Sequence, residues 1–85
     1  MTHEELWQQT LSQIELNISK PSFATWFNGT RILGLNDGIV TVAVPNGFAK
    51  EWLENKYHKL ILNTLSEIVP ETRSIIYTIS AQEGS

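Results

Sequence analysis

Eighty-five residues make one domain, near the lower limit for a core that holds unaided, and the absence of cysteine removes disulfides and thiolate metal sites. Apolar packing must carry the fold, and 41% hydrophobic residues with three tryptophans supply it, since large rings bury much area per residue. Nine acidic residues against six basic ones leave a net charge of −3, which argues against gripping phosphates as the principal task.

The chain opens with Met1-Thr2-His3-Glu4-Glu5, unlike the basic start and apolar stretch of a signal peptide, and no apolar run approaches the roughly 20 residues of a bilayer span. The expected location is therefore cytoplasmic, with no membrane partner. Thr2 and Glu5 fit a capping box. Trp7, Leu11, Ile14 and Ile18 follow on one helical stripe, so a first helix is predicted over 3–18. Ser19-Lys20-Pro21 interrupts it, because proline is favoured in a helix's first turn. Phe23, Trp26 and Phe27 then define a short second helix closed by Gly29.

Residues 31–35 and 39–44 read as a β-hairpin around Asn36-Asp37-Gly38, with Val40, Val42 and Val44 facing inward and Pro45 ending the second strand. Asn46 is a suitable N-cap for the longest helix, predicted over 47–67. Its apolar positions include Trp52, Leu53, Tyr57 and Leu60, expected in the core, with His58 on the exposed side. A third strand is predicted over 73–79, where Ile75 and Ile76 on opposite faces suggest cover on both sides. The polar tail 80–85 is expected to be mobile.

The resulting order is α-α-β-β-α-β, an α+β domain whose three-stranded sheet packs against helices. The connection from Val44 to Arg73 is long enough for a crossover, which allows the third strand to run parallel to the second. The order resembles the KH topology of RNA-binding domains, yet no G-x-x-G loop is found among Gly29, Gly34, Gly38 and Gly47.

Catalytic chemistry finds little footing. The histidines are His3, near the terminus, and His58, which shares a face with Glu54 at i, i+4 as half of a metal site without further ligands. Asp37 is the only aspartate and sits in a turn, and no G-x-x-x-x-G-K-[ST] loop is present. The domain is therefore read as a non-enzyme with no cofactor or metal. What remains is aromatic surface. Trp7 is either the first member of a core stripe or an exposed anchor for another protein. Trp26 and Phe27 are expected inward and Phe23 partly exposed, near Asn46 and Phe48. Lys50, Lys56, Lys59 and Arg73 are the candidates for weak single-stranded DNA contact.

Three segments carry a family resemblance: Leu6-Trp7-Gln8-Gln9, Lys20-Pro21-Ser22-Phe23-Ala24-Thr25-Trp26-Phe27, and the stretch from Val44-Pro45-Asn46-Gly47-Phe48 through Trp52-Leu53 to Tyr57. Together they resemble domain I, the N-terminal interaction domain, of the bacterial chromosomal replication initiator DnaA. The resemblance implies a KH-like fold over residues 1–80, with 81–85 starting a flexible linker. In longer members of the family an AAA+ ATPase, using ATP and magnesium, and an origin-binding domain come after it. The partners it implies are the replicative helicase, regulators of initiation, other DnaA molecules in weak self-association and, for some members, single-stranded DNA. By position, Trp7 with Leu6 resembles the self-association site. Ser22, Phe23, Trp26, Asn46, Phe48 and Ala49 resemble the partner-docking surface. Some members carry an acidic residue where Ser22 stands, which weakens the case for a charge-based helicase contact.

Overall fold

The structure, a computed structural model, describes residues 1–80. In chain order it contains α1 (His3–Glu15), α2 (Lys20–Phe27), β1 (Arg31–Asn36), β2 (Ile39–Val44), α3 (Gly47–Trp52), a π-helical turn (Leu53–Tyr57), α4 (His58–Ile68) and β3 (Ser74–Ile79). The predicted α+β class and α-α-β-β-α-β order hold, with the long third helix divided in two by the π turn. Of the predicted tail 80–85, Ser80 is described and its N–H donates to the Val44 carbonyl at 2.8 Å; the rest, with the predicted linker 81–85, lies outside the described residues.

The capping box at the start of α1 is complete. Thr2 Oγ1 accepts from the Glu5 N–H at 3.0 Å, and Glu5 Oε1 accepts from the Thr2 N–H at 2.9 Å. The helix stops three residues before the predicted end at Ile18. There the Leu16 and Asn17 N–H groups bond to the Gln13 and Ile14 carbonyls, tightening the last turn to i→i−3. Ile18 still packs against the core from the connection. In α2, Ser19 caps the N-terminus by accepting from the Ser22 N–H, and Pro21 occupies the first turn.

The hairpin turns through Asp37 and Gly38, both at positive φ, as a two-residue turn matched to strand twist requires. Gly38 also lies against the start of β3. Its carbonyl accepts from the Arg73 and Ser74 N–H groups, and a Cβ there would stand 2.6 Å from the Glu71 carbonyl oxygen. Sheet order is β1-β2-β3, antiparallel in the first pair and parallel in the second, so the helical crossover allowed by the sequence is present. Val40, Val42 and Val44 face the helices beside Ile75 and Tyr77, and all five are buried. Full burial of such a side chain contributes about 1.5–3 kcal/mol. The expectation that β3 is covered on both faces is corrected: Ile76 stands 51% exposed, because the helices gather on the valine side alone.

The predicted helix over 47–67 is not a single α-helix, and the reason lies in its spacing. Ala49, Leu53, Tyr57, Ile61 and Leu65 are all buried and recur every fourth residue. At roughly 100° per residue, each four-residue step overshoots a turn by roughly 40°, and four steps would drift by roughly 160°. That drift would carry one end of the stripe out of the core. A wider π turn in the middle absorbs it. Within this turn Asn55 Nδ2 donates to the Glu51 carbonyl at 2.8 Å, supplying a donor where the i→i−4 ladder loosens. Two sequence expectations change as a result. Trp52 is turned toward solvent rather than into the core. His58 is half-buried rather than exposed, its Nδ1 lying 3.1 Å from the Tyr77 hydroxyl.

A candidate docking face on the second and third helices

Two layers of rings join α2 to the helical segment that begins at Gly47. The inner layer runs from half-buried Phe23 into the core. Phe23 stacks on Phe27 with centroids 5.6 Å apart, and Phe27 meets Tyr57 at 5.4 Å in a tilted contact. The outer layer is formed by Trp26 and Trp52, stacked at 4.7 Å. Lys56 Nζ lies 5.2 Å from the centre of the Trp52 ring, within range of a cation–π attraction. A shallow cavity of about 300 Å³ lies beside this stack, lined by Glu51, Trp52, Asn55 and Lys56.

Phe48 is the most exposed aromatic side chain of the domain, at 75%, and it stands one turn before Trp52. Its position is set locally. Asn46 Oδ1 accepts from the Ala49 N–H at 2.8 Å, which fixes the first turn of α3 and aims residue 48 outward while residue 49 goes inward. Lys50 pairs with Glu54 at 3.2 Å across one turn, a partly exposed pair that adds little to stability.

The predicted docking residues divide by burial. Phe48 and Asn46 are exposed; Ser22, Phe23 and Trp26 are half-buried, Ser22 accepting a hydrogen bond from the Ser19 hydroxyl at 3.0 Å. The inward placement expected for Trp26 is corrected: α2 offers one narrow stripe and Phe27 takes its fully buried position, leaving Trp26 to rest on Trp52. Ala49 is a correction too: it is buried in the core and offers a partner almost no surface. Trp52, assigned to the core from sequence, joins this face instead at 39% exposure. The signal that would have found it is the four-residue spacing of Ala49, Leu53 and Tyr57, which puts residue 52 off the stripe.

Of the two placements left open for Trp7, the core stripe is the one observed. Trp7 is 2% exposed and Leu6 is likewise buried. The Trp7 indole N–H donates to Thr30 Oγ1 at 3.1 Å, and Thr30 Oγ1 donates to the Phe27 carbonyl at 2.6 Å. This relay ties α1 to the end of α2 and the start of β1. Neither side chain is presented to a second molecule in this fold. Of the candidate cations for single-stranded DNA, Lys56 is committed to Trp52 and Lys50 to Glu54, while Lys59 and Arg73 are exposed.

A family model described as the DnaA N-terminal domain matches residues 4–67, a span from α1 almost to the end of α4. The chain belongs to the DnaA N-terminal domain family. The matched span contains both ring layers, the Asn46 cap and the π turn. Membership gives the chain the role of a DnaA N-terminal domain in replication initiation. Among the described residues no helix is long and apolar enough to cross a membrane.

Proposed function

We propose that this domain is a docking adaptor of the cytoplasmic replication initiator, binding other proteins through the face built by Phe48, Trp52, Trp26 and Phe23, without catalysis of its own. The observation that supports this reading best is Phe48, a large apolar side chain held outward by a capped turn beside two stacked indoles. Exposed aromatic anchors with an ordered setting are where binding energy concentrates. The partners are the replicative helicase and regulators of initiation, which compete for one face. Ser22 lies at the edge of that face with its hydroxyl engaged by Ser19, so the contact is apolar in character and not a salt link. Self-association of initiators adds avidity, because many weak faces held together act at high effective concentration.

Phe48→Ala tests the reading. With the replicative helicase of the same organism, an amide chemical-shift titration of the parent chain moves Phe23, Asn46, Phe48 and Trp52. The variant loses at least about tenfold in affinity, the equivalent of about 1.4 kcal/mol, while keeping its fold. An unchanged isotherm for a folded variant refutes the assignment.

One observation favours a second reading, weak single-stranded DNA binding. Lys56 over Trp52 resembles the pairing of a cation with an aromatic platform on which bases stack. Titration with single-stranded DNA at two salt concentrations separates the readings, since phosphate contacts weaken steeply with salt and apolar docking does not.

A further inference from the structure

Two asparagines of this chain precede a glycine, Asn28-Gly29 after α2 and Asn46-Gly47 at the start of α3. A glycine carries no side chain to shield its backbone nitrogen, so that nitrogen can attack the carboxamide carbon of the asparagine before it. Asn17, Asn36, Asn55 and Asn63 each precede a residue that has a side chain. Both Asn-Gly pairs are exposed, so access of water does not separate them. Hydrogen bonding does. Asn46 Oδ1 accepts from the Ala49 N–H at 2.8 Å, and the Asn46 carbonyl accepts from the Lys50 N–H at 3.1 Å. Attack there must turn the peptide plane and swing the carboxamide away, which breaks both bonds and unwinds the first turn of α3. Asn28 has no such restraint. Among the described residues, its carboxamide, its backbone carbonyl and the Gly29 N–H have no hydrogen-bond partner. Gly29, at φ 82°, has already left the helix.

We infer that Asn28-Gly29 is a site of spontaneous deamidation, an ageing switch on the joint that supports the docking face. The Gly29 nitrogen loses its proton and bonds to Asn28 Cγ, the Cγ–Nδ2 bond breaks, and the amide nitrogen leaves as ammonia. Water then opens the cyclic imide at either carbonyl. One opening gives aspartate, and the other gives isoaspartate, with the main chain rerouted through Cβ. One water is consumed, one ammonia is released, and nothing is oxidised or reduced. The place decides the effect. Thr30, two residues on, donates to the Phe27 carbonyl at 2.6 Å and accepts from the Trp7 indole at 3.1 Å. Isoaspartate adds a methylene to the backbone between Phe27 and Thr30, which pulls this relay apart. Both products place a carboxylate at the C-terminal end of α2, where the helix dipole disfavours negative charge and no basic residue in the last turn offsets it. Gly29 also packs on Pro45, since a Cβ there would stand 3.6 Å from Pro45 Cγ. A shift of residues 28–30 thus reaches Trp7 on one side and, through Pro45, the Asn46 cap that aims Phe48 outward on the other. The effect on docking rests on the function proposed above, whereas the modification itself does not.

Incubation of the parent chain at mildly alkaline pH and physiological temperature, followed by peptide mass mapping, tests the site. The Asn28 peptide is converted at least about tenfold faster than the Asn46 peptide, because only Asn46 must give up two hydrogen bonds before attack. In concentrated urea the two rates converge. Native rates that are equal, or faster at Asn46, overturn the inference. The isoaspartyl form, separated from the parent by its added negative charge, melts at a lower temperature and gives a weaker helicase titration. Asn28→Ser shows no change in its melting curve over the same incubation. An isoaspartyl form that melts like the parent, or binds like it, overturns the switch. Mapping and melting use the chain alone. A parent chain that fails to bind the helicase therefore defeats the docking reading and leaves the modification site standing.

Discussion

Trp7 and Thr30 provide the sharpest test of whether α1 is a structural wall or a surface for partners. The indole N–H is buried and has Thr30 Oγ1 as its acceptor at 3.1 Å. Thr30→Val keeps the shape of the side chain but removes that acceptor, leaving a buried donor unpaired at a cost of about 1–3 kcal/mol. Trp7→Phe removes the donor with part of the ring, at about 0.5–3 kcal/mol. In the double variant the donor and acceptor are gone together. The loss is then smaller than the sum, with a coupling of about 0.5–1.5 kcal/mol. Urea unfolding followed by far-UV circular dichroism measures each corner, and an unchanged slope confirms that the same surface is exposed. In a domain of this size, about 1 kcal/mol corresponds to about 4–8 °C in melting temperature, so thermal scans resolve the cycle as well. Losses that add within about 0.3–0.5 kcal/mol, with Trp7→Phe as stable as the parent, refute the buried tie. Trp7→Ala would blur the answer. Its cost of about 3–5 kcal/mol is a large part of a total stability of about 5–15, so lost association would report lost fold.

Two further tests concern the long helical segment and its neighbour β3. Burial, and secondarily the negative charge of Glu54, push the Tyr77 hydroxyl well above the usual phenol range. The unfolded chain releases this proton near about pH 10 while the native state keeps it, so its contribution is full below about pH 10 and is lost as pH climbs further. Tyr77→Phe therefore flattens the alkaline fall of the urea midpoint, and an identical slope in both proteins refutes the assignment. Deletion of Asn55 converts the π turn to regular α-helix while leaving Leu53 and Tyr57 on one face at i, i+3 spacing, so the domain still melts cooperatively. Deletion of Asn63 rotates the rest of α4 by about 100° and abolishes the cooperative transition; equal damage from both deletions refutes the role given to the π turn.

Most of the fold was legible because local signals and burial agree. Thr2 and Glu5 announce a cap and form one. Val40, Val42 and Val44 alternate in sequence and lie on one buried face. The Asn36-Asp37-Gly38 turn needs positive φ and has it. Where reading failed, two residue types of similar hydropathy competed for one inward position. Phe27 and Trp26 are adjacent, as are Leu53 and Trp52, and hydropathy does not rank the members of such a pair. Packing decides: the inward place goes to the residue that continues the four-residue spacing or meets Tyr57. Trp7 was ambiguous for a different reason, since its partner Thr30 is 23 positions away and no local pattern reveals that bond.

The same competition explains why the docking face lies where it does. A helix that buries Ala49, Leu53 and Tyr57 turns the position before each of them away from the core, and here these include Phe48 and Trp52. Trp52 is not left loose, because Trp26 stacks on it and Lys56 lies over its ring. Trp26 in turn sits on the same short helix as Phe27, whose ring presses on Tyr57 beside the π turn. The outer stack and the core are thus two sides of one joint between α2 and the long helical segment. Substitution of either tryptophan therefore loosens the joint and weakens docking together. Phe48 stands apart from the stack, held only by the Asn46 cap behind it, and is the position where affinity can be changed while the fold is left alone.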